Sequence, residues 1–323
     1  RLPGLPGAPG KRYDPLMLLR TGLATLVCCA LLLMTSPIAQ ADSSKRELAS
    51  YYERHMALAD GVAYAWLGRG APRAVQSGVV EVGVSKHAYF ALRADGSLIS
   101  GADLGEAAQT LMRGVASFAA GATGWFAIDS DGVLWHATSS AAAGAAPLRI
   151  ADNVLTACIG DGADYYITRD GTLYVKGLAH RGQYGDGRLT ATAEFVATAH
   201  DAVAVQAHTG HAIHLRRDGV VLGTGGNRYG PLASHGLGDK ADRWGPIFDG
   251  AVAIATGSRH SLAIRTDASL WAWGEGFAIA PAKLMDNVLA VAAGDSATLA
   301  RSADGTLWQW DGGGAPRRLV LQR

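Results

Sequence analysis

Three histidines stand at spacing three in "HTGHAIH": His208, His211 and His214, a donor set that would suit Zn²⁺ if the rings converged. On a strand, residues 211 and 214 face opposite sides, and His211 aligns with His260 of another segment, so hydrogen-bonded structural histidines are the expectation. Asp161 and Asp164 offer paired carboxylates of the kind used for general acid and base work, which needs a pocket that sets their pKa values apart. "GTGGNRYG" from Gly223 is glycine-rich, but no helical pattern follows it, so its glycines are assigned to turns and not to a phosphate cradle. The chain has no Gly-x-Ser-x-Gly elbow and no His-Glu-x-x-His. No cofactor, metal or catalytic residue is assigned from these patterns.

Two longer segments carry side chains suited to recognition. One holds His180, Arg181, Gln183, Tyr184, Asp186 and Arg188; the other holds Asn227, Arg228, Tyr229, His235, Asp239, Lys240, Arg243 and Trp244. Tyr, Trp and Arg dominate binding hot spots because they join large buried area to directional polar ends. These residues are the candidate binding loops. The competing use is to cover strand edges.

The elements that must position them are written in a repeat. Asp60-Gly61, Asp95-Gly96, Asp131-Gly132, Asp170-Gly171, Asp218-Gly219, Asp267-Ala268 and Asp304-Gly305 recur at spacings of 35, 36, 39, 48, 49 and 37 residues, the range of a repeat architecture. Five residues before each later Asp stand Phe90, Phe126, Tyr165, Ile213, Leu262 and Leu299. Two positions on come Leu92, Ile128, Ile167, Leu215 and Ile264, with Arg301 as the exception, for which Asp295 or solvent is the expected partner. Period two marks one face of a strand. After the turn, two adjacent columns are apolar (Leu98 and Ile99, Leu134 and Trp135, Leu270 and Trp271), so both faces of that strand are covered, as between packed sheets. Asp-Gly supplies the hairpin turn; Ala268 must avoid positive φ or accept strain. Cys158 falls in a column of mostly small residues and is expected to pack as a small hydrophobe.

The chain of 323 residues is 49% hydrophobic, and its 42 glycines are dispersed among apolar runs, which favours an all-β fold rich in tight turns. Residues 17–41 read as a secretory signal peptide: Arg20, an uncharged run from Thr21 to Met34, and a small-x-small ending at Ala39 and Ala41. The run is too short for a stable membrane span. Residues 1–16 are expected to be an unstructured upstream extension. Removal of 1–41 takes Arg1, Lys11, Arg12 and Arg20 but only Asp14 from totals of 29 basic and 28 acidic residues, so the remainder is nearly neutral and lacks the basic footprint of a nucleic-acid binder. Ser44 with Glu47 three residues on predicts a capping box opening a short helical lead-in over 42–59. The first repeat then lacks a strand, which "RRLVLQR" at the C-terminus would supply, closing the first and last units on each other.

"GSRHSLAIRTDASLWAWGEG", "HRGQYGDG" and "GGNRYGPLASHGLGD" resemble the repeat of the regulator of chromosome condensation family over residues 60–323, in its exported bacterial form. The resemblance implies an all-β, seven-bladed β-propeller, each blade a small antiparallel sheet around a central channel. It implies a periplasmic or secreted, non-enzymatic module that binds a protein or a cell-envelope component, with enzyme inhibition as one form of that binding. The alternative is a propeller-borne lyase or glycan hydrolase at the channel, for which His87, Asp161 and Asp295 would have to converge at one mouth. The nuclear role of the family, nucleotide exchange on a small GTPase with chromatin contact, is not expected of a near-neutral chain with a signal peptide.

Overall fold

In the computed structural model, which describes residues 45–101, 108–138, 145–234 and 238–322, the alternating stretches pair as antiparallel hairpins in seven four-stranded sheets. We number them blades 1 to 7 in chain order: residues 48–77, 79–112, 115–151, 154–199, 202–248, 251–285 and 288–319. The first strand of each blade touches the first strand of the next, and that of blade 1 touches both blade 2 and blade 7. Seven first strands therefore line the centre of a closed ring, the seven-bladed β-propeller that the repeat implied.

The repeat columns become contacts. In blades 2 to 7 the first strand carries one extra residue at the same place, between Val79 and Glu81, Val154 and Thr156, or Ala251 and Ala253, for example. Leu92, Ile167, Leu215 and Ile264 are buried between neighbouring sheets. At the turns, Asp95, Asp170, Asp218, Asp267 and Asp304 each accept the backbone N–H two residues on, which closes the hairpin. Ala268 accepts the strain: its φ is 62°. Cys158 is buried in the first strand of blade 4, Val154–Ile159, and burial pushes its thiol up to about 11.

Three expectations are corrected. The lead-in is no helix: Leu48–Tyr51 and Arg54–Ala59 are the first two strands of blade 1, so the propeller starts before residue 60. Leu48, Ala49, Tyr51, Met56 and Ala57 are all buried, and packing against the ring outweighs a local capping signal. Second, Arg317–Leu319 does not fill a gap in blade 1; it is the fourth strand of blade 7. The tail still reaches blade 1, because Gln322 forms a parallel bridge to Arg73, with Ala74 N donating to Gln322 O at 3.1 Å and Gln322 N to Pro72 O at 3.0 Å. Third, Arg301 pairs with Glu47 of the supposed capping box, across the seam between blades 7 and 1, and not with Asp295. Trp66 Nε1 donates to Gln309 at 3.1 Å over the same seam, where Leu48, Ala57 and Trp66 pack on Leu299, Leu307 and Leu319.

Among the described residues no helix is long and apolar enough to cross a membrane. The signal-peptide, upstream-extension and Ser44 assignments fall on residues 1–44, outside the described part.

Candidate functional site

Strand direction decides which loops share an end of the ring. Within a blade, the turn from first to second strand and the connection from third to fourth strand lie at one end, and the Asp-Gly turns lie at the other. The inner turns of blades 2 to 7 place Lys86, Ala122, Asp161, Thr209, Ser258 and Asp295 in one column, nine residues before the Asp of each Asp-Gly or Asp-Ala turn. The ring brings that column around the mouth of the channel. Thr209 Oγ1 donates to Asp161 Oδ2 at 2.8 Å, and Ser258 Oγ stands 3.4 Å from Thr209 Oγ1, linking blades 4, 5 and 6.

Blade 1 reaches across the opening. Tyr51, at the end of its first strand, donates its hydroxyl to Asp161 of blade 4 and stacks on His208 of blade 5, with ring centroids 5.0 Å apart. Desolvation and the Asp161 carboxylate hold the Tyr51 hydroxyl well above its ordinary pKa. Tyr52, beside it and 43% exposed, carries the Lys86 ammonium over its ring at 5.6 Å.

His208 is the pivot. The equivalent position in blades 3, 4, 6 and 7 is glycine (Gly121, Gly160, Gly257, Gly294), where close packing against the next blade leaves no room: a Cβ on Gly257 would strike the carbonyl of Gly294. In blade 5 the position accepts an imidazole because the ring turns into the mouth. Its Nδ1 lies 3.0 Å from the Thr209 backbone N and 2.9 Å from Thr209 Oγ1, whose own hydrogen goes to Asp161, and its Nε2 points the other way. That Nε2 is buried without a hydrogen-bond partner and faces Asp295 Oδ1 of blade 7 at 3.6 Å. Burial lowers the His208 pKa against the pull of Asp161 and Asp295.

Deeper in the channel, Arg46 donates to the carbonyls of Phe118 and Ala157 and pairs at 3.3 Å with Glu81 of blade 2, a carboxylate whose own side chain is fully buried. Burial pushes Glu81 up to about 7. One side chain from the start of blade 1 thus ties blades 2, 3 and 4. Two further histidines staple adjacent blades: His211 Nε2 meets Ser261 Oγ, and His260 Nε2 meets Thr298 Oγ1, each at 3.1 Å. His214 stacks on Trp244 at 4.5 Å. The three imidazoles of "HTGHAIH" therefore go to three separate surroundings, and among the described residues no His, Cys, Asp and Glu cluster fits a metal.

Residues 251–277 match the family model "Regulator of chromosome condensation (RCC1) repeat". The match falls within blade 6. The fold of the chain is similar to Prp20p from Saccharomyces cerevisiae, whose structure was reported with its binding properties to Gsp1p and histones (TM-score 0.64, 14% identity, 77% of this chain and 80% of that one). It is similar to yeast RCC1 (Prp20) bound by Kap60 (TM-score 0.65, 16% identity, 76% and 73%) and to the CRINKLY WD40 ectodomain of the Arabidopsis thaliana receptor kinase ACR4 (TM-score 0.59, 13% identity, 86% and 98%). At these identities the likeness carries the fold alone. No curated protein matches the chain in sequence.

Part of the candidate loops holds the blades themselves together. Gln183 and Tyr184 are buried: Gln183 accepts the Arg181 N–H at 2.9 Å, and the Tyr184 hydroxyl donates to Gly177 O at 2.8 Å while accepting the Thr192 N–H at 3.0 Å. Asn227 is also buried and holds its own loop through Ser234 O, Gly238 O and the Leu232 N–H. Arg243 and Trp244 are not on the loop but on the fourth strand of blade 5, Lys240–Phe248, where Trp244 lies over Gly185 and Arg243 bridges Asp186. His180, Arg181, Arg188, Arg228 and Tyr229 are exposed, and Asp186 pairs with Arg188 at 3.1 Å. Tyr229 lies under Arg259 at 4.4 Å and beside Arg228 at 5.8 Å; Arg259 in turn holds both oxygens of Glu275. His235 lies outside the described residues.

Of the proposed channel set, Asp161 and Asp295 do converge, through His208. His87 sits exposed in the corresponding turn of blade 2, and Asp164 is on the strand Ala163–Thr168 opposite Lys176, where burial raises it to about 6. Tyr51, Tyr52, Thr209, Arg46 and Glu81 were not singled out by sequence. Two signals for them were present: the shared turn column, and a lone Glu81 where sister strands carry Ser117, Thr156, Ala204, Ala253 and Ala290.

Proposed function

We propose that this molecule is an exported, non-enzymatic propeller that binds another protein or a cell-envelope component with the end that carries the inner turns and the long loops of blades 4 and 5. The observation that carries this reading is Tyr229, exposed and framed by Arg228 and Arg259 on one rim. A ring held by two guanidinium groups loses little side-chain freedom on binding, which is what makes Tyr and Arg effective anchors. Arg181 and His180 extend the same rim. The protein partners named for the yeast relatives, Gsp1p, histones and Kap60, support protein binding as a use of this fold. Export rests on residues 17–41, and N-terminal sequencing of the exported chain should begin at Asp42. Enzyme inhibition is the form of binding that the likeness to exported repeat proteins suggests.

The test is capture from envelope extract by the folded protein, with Tyr229→Ala and Arg228→Glu alongside. The reading predicts a defined partner that both variants lose by at least tenfold. Capture indistinguishable from background, or equal capture by all three proteins, contradicts it.

A second reading, lyase or glycan hydrolase chemistry at the channel, draws on the meeting of Asp161, His208 and Asp295 at the mouth. Turnover of a polysaccharide that disappears in Asp295→Ser supports it; turnover unchanged in that variant removes it.

A further inference from the structure

The cations on the long loops of blades 4 and 5 outnumber the carboxylates beside them. Residues 180–188 and 227–244 carry Arg181, Arg188, Arg228, Lys240 and Arg243 against Asp186, Asp239 and Asp242. Arg188 is held by Asp186, and Arg259 of blade 6 gives its N–H groups to both oxygens of Glu275. Among the described residues no carboxylate lies within ion-pair distance of Arg181 or Arg228, and both side chains are exposed.

Neither of the two hangs loose in solvent. Arg181 is laid across the inner turn of blade 5: a Cβ on Gly210 would stand 2.8 Å from its Cδ and 3.0 Å from its Nη1, and one on Gly226 would stand 3.7 Å from its Cδ. Glycine at both positions makes room for it. Arg228 lies beside the Tyr229 ring, which Arg259 covers from blade 6. Two guanidinium groups without a counter-charge are therefore held along the rim that runs from blade 4 over blade 5 to blade 6.

A guanidinium already held in place takes a carboxylate through two parallel N–H bonds with little further loss of freedom. The rim also selects among anions. Asp186, Asp239, Asp242 and Glu275 are interleaved with its cations, so a polyanion charged at every unit, such as nucleic acid or a sulfated glycan, meets repulsion along the same path. A protein segment that sets single carboxylates among neutral residues avoids it, and an apolar side chain of that segment can cover the exposed Tyr229 ring.

We propose that this rim takes an acidic segment of a partner protein, with carboxylates on Arg181 and Arg228 and an apolar side chain on Tyr229. The inference rests on the reading of the rim as a protein-binding surface and adds the chemistry of what is bound.

Fluorescence anisotropy on the folded full chain tests it, with three probes: a labelled peptide of Glu residues spaced by Ser around a central Phe, the same peptide with Gln for every Glu, and heparin as a polyanion. At low salt the Glu peptide should bind roughly tenfold more tightly than the Gln peptide, and the difference should shrink as added salt screens the charges. Arg181→Gln and Arg228→Gln should each weaken the Glu peptide roughly fivefold. Arg69→Gln, at the same end of the ring but paired with Asp311, should leave it unchanged. Equal affinity for the two peptides, binding of neither, or binding indifferent to both arginines overturns the inference, as does heparin bound more tightly than the Glu peptide through the same arginines. The protein-binding reading fails separately, by envelope capture that Tyr229→Ala leaves intact.

Discussion

Ala268 stands at a turn position that Gly96, Gly132, Gly171, Gly219 and Gly305 fill in other blades, and it holds φ at 62°, where a Cβ crowds the following carbonyl. Relief of that strain outweighs the extra chain entropy of glycine, so Ala268→Gly should stabilise the protein by about 1 kcal/mol. Urea unfolding reads this directly; a midpoint equal to or below that of the parent contradicts it. The turn was legible in sequence because Asp267 kept its column while its neighbour changed. Arg301 was legible as an exception, but its partner was not: Glu47 lies at the far end of the chain, and periodicity carries no information about which distant residue a closed ring brings near. His208 was noticed for the wrong reason, as one of three histidines, when its significance is that it occupies a glycine position.

At the scale of the strand, histidines that begin the second strands of blades 5 and 6 reach the next blade and are buried neutral. Burial lowers His211 to about 3 and His260, like His55, His136 and His214, to about 4. An unfolded histidine takes up a proton near pH 6.5, so the stability these rings contribute is complete above that pH and drains away as pH falls toward 4. The turn aspartates, held below the usual carboxylate range by the Ser and Thr hydroxyls and backbone N–H groups that donate to them, act in the same direction at lower pH. Glu81 opposes them: raised to about 7, it favours the fold most below pH 4.5 and less as pH rises to 7. Asp164, raised to about 6, opposes them in the same way, but the lowered imidazoles outnumber these two carboxyls, so the urea midpoint should fall from pH 7 to pH 4.5, and the fall should be shallower in His260→Gln. A flat profile, or one that rises on acidification, contradicts the assignment. The repeat pattern foretold the second and third strands well because both obey strict columns. It missed the first two strands of blade 1, since Leu48–Tyr51 is buried on both faces and the middle of Arg54–Ala59 likewise, so neither shows an alternation to read.

For the molecule as a whole, closure is what produces the mouth. Tyr51 of blade 1 can meet Asp161 of blade 4 and His208 of blade 5 only if the sheets come round on themselves, and Arg46 crosses to blades 2, 3 and 4 on the same condition. Repetition supplies each blade with two apolar faces that only neighbours can cover, and the seam is where unrelated ends must do that job. There the sequence-level expectation of a shared blade gave way to a different solution: two complete blades, packed through Trp66 and Leu48 and joined at the rim by Gln322. The measurement that bears most directly on this closure is a short thiol-to-thiol cross-link in the Arg73→Cys, Gln322→Cys double variant, read by mass spectrometry of the digested monomer. A closed ring predicts near-complete joining of the two peptides within one molecule under native conditions and its loss in urea; an absent link, or one formed only between molecules, would mean that the blades do not come round.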